Sequence, residues 1–118
     1  VKSFIHIKDV CAATLAIARK GNNGEVYHIS PDNGGVSIRD VVSLICKKLG
    51  KNINSSLETM DERLGQDAFY VIDSSKIRKK LNWKPEIRFE QGIDEVILWV
   101  QENFDEILKC PGEYVHKP

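Results

Sequence analysis

The sequence has 118 residues, a length that suits one domain. Hydrophobic residues make up 42% of it and charged residues 29%, which is typical of a folded globular domain and excludes a disordered chain. The 17 basic and 17 acidic residues give a formal net charge of zero, so the basic excess of a nucleic-acid-binding protein is absent.

The cysteines and the first residues of the sequence indicate the cellular compartment in which we expect the protein. Cys11, Cys46 and Cys110 are odd in number and far apart, which favours reduced, mostly buried thiols over a disulfide framework or a zinc site. The apolar runs are far shorter than the ~20 residues of a membrane span, and no signal peptide is recognisable. We therefore expect a cytoplasmic protein without membrane or nucleic-acid partners. The chain starts without Met, inside a strand-like pattern, so we expect it to be part of a longer protein.

The first third of the chain predicts two strands around a helix. Phe4–Ile7 has the pattern of a short strand. Asp9 is predicted to cap the helix that follows, because its carboxylate can accept hydrogen bonds from the first-turn amides. The helix is expected to stop at residues 21–24, a cluster of Gly and Asn. Glu25–Ile29 reads as a second, well-buried strand.

The middle of the chain predicts a capped helix between loops. Residues 31–35 form a loop, and Ser37 with Asp40 approximates a capping box. The helix carries an apolar face and is predicted to end at Gly50. A third strand is expected near residues 57–60.

A charged loop at residues 61–67 is centred on Gly65, where we expect a positive φ angle. Phe69–Ile72 reads as a fourth strand. Asp73 or Ser74 is then predicted to cap a short helix.

The C-terminal third predicts one more helix. Asn82 is expected to close the short helix, and Pro85 imposes an extended connection because its ring disfavours helix at the preceding residue. The last clear helix is predicted from Phe89 or Glu90 to Asn103. Four short strands interleaved with four helices predict an α/β domain, with too few strands for a complete doubly wound sheet.

The sequence carries no recognisable catalytic motif. No G-x-G-x-x-G opens a helix after a strand, and residues 21–24 follow a helix instead, which is the wrong order for binding a pyrophosphate. No tyrosine is followed by Lys four residues later, and the three histidines lack metal-site spacing. We therefore predict no catalytic, cofactor-binding or metal-binding residue in this chain.

Four blocks, taken in order, resemble one family. Residues 2–10 (KSFIHIKDV) resemble R-x-F-x-H-V-x-D-V, and residues 24–29 (GEVYHI) resemble G-E-x-Y-N-I. Residues 61–73 are similar to D-R-P-G-H-D-x-x-Y-x-x-D, and residues 81–93 are similar to L-G-W-x-P-x-x-x-F-E-x-G-L. These blocks resemble the C-terminal part of the NAD-dependent epimerase/dehydratase family of extended short-chain dehydrogenases, and its 4,6-dehydratases most of all.

The resemblance implies that the N-terminal and C-terminal parts of the protein have different roles. In this family an N-terminal Rossmann domain binds NAD or NADP and supplies a Tyr-x-x-x-Lys pair, while the C-terminal part closes over a nucleotide-sugar. It implies that residues 1–118 form a single C-terminal substrate-binding region, that the Rossmann core is missing, and that the chain alone is not catalytic. The alternatives are a 4-epimerase or a 4-keto reductase of the same family, or a stand-alone binding or interaction module.

Arg63 is the first candidate for a substrate contact. A guanidinium group offers a fork of donors that suits phosphate oxygens, and the family's motif places a diphosphate-binding Arg here. The alternative is a surface arginine paired with a neighbouring carboxylate: Asp61, Glu62 or Asp67.

Four further candidates follow from the resemblance. Lys2 stands where the family has a diphosphate-binding Arg, so it keeps the charge and loses the bidentate geometry. His28 replaces an Asn, and Gln66 replaces a His and so lacks a titrating group. Tyr70 has a hydroxyl for the ligand. The alternatives are a solvated lysine, a hydrogen-bonded histidine at a strand end, and a packed strand aromatic.

Other residues are expected to be structural. His6, Trp83 and Trp99 are interpreted as structural or core residues, and residues 76–80 as a solvated helix face. If Glu25–Ile29 completes the sheet of the missing domain, the isolated chain exposes apolar surface, which a second copy in a homodimer could cover.

Overall fold

The computed structural model describes residues 1–58, 65 and 67–112. These residues form five α-helices and one 3-10 helix: α1 (Ile7–Lys20), α2 (Ile38–Leu49), a 3-10 helix (Ile53–Ser55), α3 (Ser75–Leu81), α4 (Phe89–Glu102) and α5 (Phe104–Leu108). The four predicted helices correspond to α1–α4, and α5 was not predicted. In the described part of the chain, no helix has the length and apolar character needed to cross a membrane.

The predicted strands are replaced by extended segments and two isolated bridges. Within the described residues there is no strand, and the β pairing consists of Lys2 with Val36 and Lys2 with Tyr70. The strand predicted at Phe4–Ile7 is wrong because Ile7 already begins α1. Residues 59 and 60 of the third predicted strand lie outside the described residues. The strand patterns arise from local sequence, whereas a strand also needs a neighbouring segment to pair with. Within the described residues, these segments have few such partners.

The N-terminal cap of α1 is His6, whose Nδ1 accepts a hydrogen bond from the Lys8 amide at 3.3 Å. The prediction that Asp9 caps this helix is wrong. Asp9 is buried, and its carboxylate accepts hydrogen bonds from the amides of Glu86 at 3.0 Å and Ile87 at 3.1 Å. The carboxylate therefore links α1 to the connection before α4, and His6 is structural as predicted.

The predicted capping box of α2 is confirmed. Ser37 Oγ accepts a hydrogen bond from the Asp40 amide at 3.0 Å, and the Ser37 hydroxyl donates to the Asp40 carboxylate at 2.6 Å. Gly50 ends the helix in the left-handed conformation, as its position predicted.

The ends of α3 also follow the prediction in part. Asn82 closes the helix with φ +53°. Ser74 occupies the N-cap position without a capping hydrogen bond from its side chain, whereas Asp73 accepts a hydrogen bond from the Ser75 amide at 2.8 Å. Asp73 is therefore the residue whose side chain accepts a hydrogen bond from a first-turn amide of α3.

The hydrophobic core lies between α1 and α3. Its buried members are Ala13, Ile77, Leu81 and Trp83, and partly buried side chains pack around them, among them Ile5, Ile17, Tyr27 and Ile29. Trp83 is a core residue as predicted. Trp99 is not, because 58% of it is exposed on α4.

Several apolar side chains of α1 face outward. Ile7 and Leu15 are 66% and 49% exposed, and their spacing of eight residues places them on one helix face. Cys11, midway between them, is also exposed, as is Cys110, while Cys46 is buried. The expectation of mostly buried thiols is therefore wrong for two of the three cysteines, although all three are free.

Candidate functional site

Three segments of the chain meet at Lys2. Its amide donates to the Val36 carbonyl at 3.0 Å, and its carbonyl accepts from the Val36 amide at 2.8 Å. On the other side, the Tyr70 amide donates to the Val1 carbonyl at 2.8 Å and the Tyr70 carbonyl accepts from the Ser3 amide at 3.3 Å. Lys2 therefore lies in the middle of a small three-segment sheet.

Gly35 allows the three segments to approach one another. Its φ angle is +87°, and a Cβ atom there would lie 2.8 Å from side-chain atoms of both Val1 and Val71, and 3.2 Å from the Lys2 carbonyl oxygen. A larger residue would push these segments apart. Residues 31–35 were predicted to be a loop, and no local signal distinguished Gly35 from the neighbouring Gly34.

The bridge places two predicted ligand contacts side by side. Lys2 and Tyr70 are paired in parallel register, so their side chains leave the same face of the small sheet. Both residues are exposed. A primary ammonium group and a phenol hydroxyl on one exposed face can bind an anionic, hydroxyl-rich ligand.

His28 lies on a different segment. Residues 25–29 are extended, and their side chains alternate: Tyr27 and Ile29 pack against the core, while Val26 and His28 are exposed. Within the described residues, no hydrogen bond joins His28 to Lys2 or Tyr70. The structure therefore pairs Lys2 with Tyr70 and presents His28 from a separate extended segment.

The polar side chains of α3 contact that segment. Lys80 Nζ lies 2.7 Å and 2.9 Å from the two carboxylate oxygens of Glu25, and Lys76 Nζ donates to the Val26 carbonyl at 2.7 Å. Lys76 also lies over the Tyr27 ring, 4.9 Å from its centroid. Lys76, Lys79 and Lys80 are exposed, as predicted for a solvated helix face, and two of their ammonium groups also contact the segment that carries His28.

These contacts shift the pKa values of Glu25 and Lys80. The hydrogen bond from Lys80, and after it one with Tyr27, lowers the pKa of Glu25 from its ordinary value. The same bond to Glu25 raises the pKa of Lys80. Both shifts mean that the charged forms are favoured in the folded state.

Two buried serines connect the segment to the start of α3. The Ser74 hydroxyl donates to the Ser30 carbonyl at 2.7 Å, and both residues are 1% exposed. Arg78, one turn further along α3, lies 3.5 Å from the same carbonyl and 3.3 Å from the Asp32 carboxylate. Ser74 was one of the two predicted caps of α3, and no local signal identified its partner 44 residues away.

The other two candidates are Arg63 and Gln66. Arg63 and Gln66 lie outside the described residues. Gly65 is described and has φ +80°, as its sequence predicted. After the loop, hydrogen bonds from the Ser75 amide and hydroxyl lower the pKa of Asp73.

The turn at Gly35 has no free space for a dinucleotide. The glycine pair before α2 is a geometric candidate for approach to a pyrophosphate. However, the space beside Gly35 is filled by Val1 and Val71, and Ser37 caps the helix that follows. Among the described residues, no group of three or more His, Cys, Asp or Glu is arranged to bind a metal ion.

Solved structures share this fold. Dehydratases with NAD bound are similar over most of the chain. The dTDP-glucose 4,6-dehydratase of Bacillus anthracis superposes with a TM-score of 0.81 at 32% identity, over 91% of this chain and 34% of that one. The DesIV dehydratase of Streptomyces venezuelae superposes with a TM-score of 0.79 at 28% identity, over 88% of this chain and 32% of that one.

Sequence comparisons agree with the structural ones. The dTDP-glucose 4,6-dehydratase of Xanthomonas campestris is 32% identical over 111 residues, which cover 87% of this chain and 31% of that protein. The chain thus spans about a third of the length of the relatives that it matches. The family model described as GDP-mannose 4,6 dehydratase matches residues 1–96. The chain therefore belongs to this family of NAD-dependent epimerases and dehydratases.

Proposed function

We propose that residues 1–118 form the nucleotide-sugar-binding part of an NAD-dependent sugar 4,6-dehydratase. The observation that carries the proposal is the bridge between Lys2 and Tyr70. Two sequence blocks that resemble the family's substrate-binding motifs are far apart in the chain, and they meet with both of these side chains exposed on one face. The similar proteins named dTDP-glucose 4,6-dehydratase support the reaction and the substrate class.

In this proposal the cationic groups bind the diphosphate. The Arg63 guanidinium donates to the phosphate oxygens, and the Lys2 ammonium adds a second positive charge. Tyr70, His28 and Gln66 contribute hydrogen-bonding groups from the neighbouring segments. None of these residues transfers a proton or a hydride to the sugar, so they set affinity and orientation.

The chemistry is assigned to a preceding half of the protein. NAD supplies the oxidation and reduction of the sugar, and we assign its binding site to that preceding half. That the similar dehydratases were solved with NAD supports this cofactor over NADP. On this assignment the chain alone binds substrate weakly and does not turn it over.

Two exposed features support a covering partner. Within the described residues, the backbone groups of Tyr27, His28 and Ile29 form no hydrogen bond, so this edge is free to pair with a strand. Val26 is 70% exposed beside it, and Ile7 and Leu15 form an apolar stripe on α1. We assign this surface to the nucleotide-binding half in a cytoplasmic enzyme, with a second copy of the chain as the competing occupant.

The test is a titration of the full-length protein with dTDP-, UDP-, CDP- and GDP-glucose in the presence of NAD. Binding of one of them, followed by formation of a 4-keto-6-deoxy product, is the expected result. A 4-epimer as product would assign the sister activity. No binding of any of the four would overturn the proposal.

A further inference from the structure

The extended segment that carries His28 has an unusual support. Within the described residues, Tyr27, His28 and Ile29 form no backbone hydrogen bond, so this part of the chain holds the stretch through side chains. Lys76 and Lys80 of α3 contact it at Glu25 and Val26, and the N-cap residue Ser74 with Arg78 contacts it at Ser30.

The two ends differ in character. The Lys80 contact with Glu25 involves side chains that are 46% and 29% exposed, so solvent screens it. The bond from Ser74 to the Ser30 carbonyl is buried, and its 2.7 Å distance is short. Loss of this short bond leaves the buried carbonyl with only the long contact to Arg78 at 3.5 Å, which makes this end the more sensitive of the two.

The position of Ser74 gives this bond a consequence for the ligand site. Ser74 follows Tyr70 by four residues, and Ser30 follows His28 by two. The bond therefore joins the segment that follows Tyr70 to the segment that follows His28, and both of these residues are proposed ligand contacts. Ser75, the next residue, has a hydroxyl whose bond goes to Asp73 at 2.9 Å, which is a local contact within the same turn.

We propose that Ser74 is a positioning residue, which sets the location of His28 relative to Tyr70 through its buried bond to the Ser30 carbonyl. The proposal rests on the function proposed above, because it assigns His28 and Tyr70 to one ligand. Ser74 touches no ligand itself, and its effect passes through the backbone of residues 28–30.

The experiment compares Ser74→Ala and Ser75→Ala in the full-length protein with dTDP-glucose and NAD. Loss of a buried hydrogen bond predicts that Ser74→Ala raises KM roughly three- to tenfold with kcat unchanged. Ser75→Ala removes a hydroxyl from the same helix turn without a long-range contact, so KM is expected to stay at the wild-type value. An unchanged KM in Ser74→Ala, or an equal rise in both variants, overturns the proposal.

A double-mutant cycle tests the route through His28. If Ser74 acts by positioning His28, Ser74→Ala in a His28→Ala background adds little further change to KM. A full three- to tenfold rise in that background contradicts the proposal.

Hydrogen exchange separates this inference from the proposed function. In the full-length protein, where we assign this edge to a strand of the nucleotide-binding half, Ser74→Ala is expected to speed amide exchange in residues 25–30 and to leave α4 unchanged. If the wild-type protein binds no nucleotide-sugar, the proposed function fails, and with it the ligand role of Ser74, while the exchange rates still report whether the bond orders the segment. Unchanged exchange in residues 25–30 overturns the positioning itself.

Discussion

Lys2 and Tyr70 form a parallel bridge, with the backbone of the Lys2 segment paired on its other side to Val36. The pairing brings the start of the chain next to the end of the charged loop at residues 61–67. Because bridge partners present their side chains on one face, the ammonium and the phenol hydroxyl lie over the same surface. This relationship supports the proposal that the two side chains bind one ligand.

Gly35→Ala is expected to disturb this bridge. The new methyl group would lie 2.8 Å from Val1 and Val71, and the residue would have to keep φ +87°. We expect a loss of about 2–3 kcal/mol in the free energy of unfolding, measured by urea titration with tryptophan fluorescence.

Gly34→Ala is the matched control for this change. Gly34 has φ +69° but no atom within 4 Å of a Cβ, so only the backbone cost of about 1 kcal/mol is expected. Equal destabilisation by the two variants would show that the close approach at Gly35 has no energetic weight.

Asp9→Ala should destabilise the chain by about 3 kcal/mol, because the partly buried amide groups of Glu86 and Ile87 lose a charged acceptor. Asp105→Ala on α5 serves as the exposed comparison and is expected to stay within about 0.5 kcal/mol of the wild type. Unfolding curves of the two variants measure the difference. Similar midpoints for Asp9→Ala and the wild type would contradict the assigned role of this carboxylate.

The pair of Glu25 and Lys80 predicts a pH dependence. The pKa of Glu25 is lowered in the folded state, so the carboxylate contributes stability above its unfolded pKa and loses it as pH falls through the folded value. The pKa of Lys80 is raised, so its contribution is complete below its unfolded pKa and disappears as pH rises through the folded value.

Glu25→Gln tests the pH range over which the charged pair stabilises the fold. The difference in unfolding free energy between the wild type and this variant is expected to be largest near neutral pH and to shrink in acid, as Glu25 becomes protonated. Urea titrations at a series of pH values measure it. A difference that stays constant into acid would show that the ion pair does not stabilise the fold.

Helix ends were the part of the fold that the sequence could predict. The Ser37–Asp40 capping box, Gly50 and Asn82 act through neighbouring backbone groups, so their signals are local. Asp9 misled the prediction for the opposite reason. Its residue type suits a cap, whereas its hydrogen-bond donors lie on a segment that the local pattern does not relate to it.

The sequence could predict candidate residues for the site, but not the contacts that hold them in place. Family-like blocks pointed to Lys2, His28 and Tyr70, and the structure pairs Lys2 with Tyr70. The supports of the site, Gly35 and Ser74, were missed because each acts through a contact distant in sequence.

The central claim is that a cation in the loop at residues 61–67 binds the diphosphate of a nucleotide-sugar. The most direct test is the Kd of dTDP for the full-length wild type, Arg63→Ala and Arg39→Ala, measured by calorimetry. Arg39 lies exposed on α2 and serves as the charge-matched control. We predict that Arg63→Ala raises Kd roughly 10- to 100-fold, the loss expected for charge-assisted hydrogen bonds, and that Arg39→Ala leaves Kd unchanged. Equal affinities for the wild type and Arg63→Ala would contradict the account.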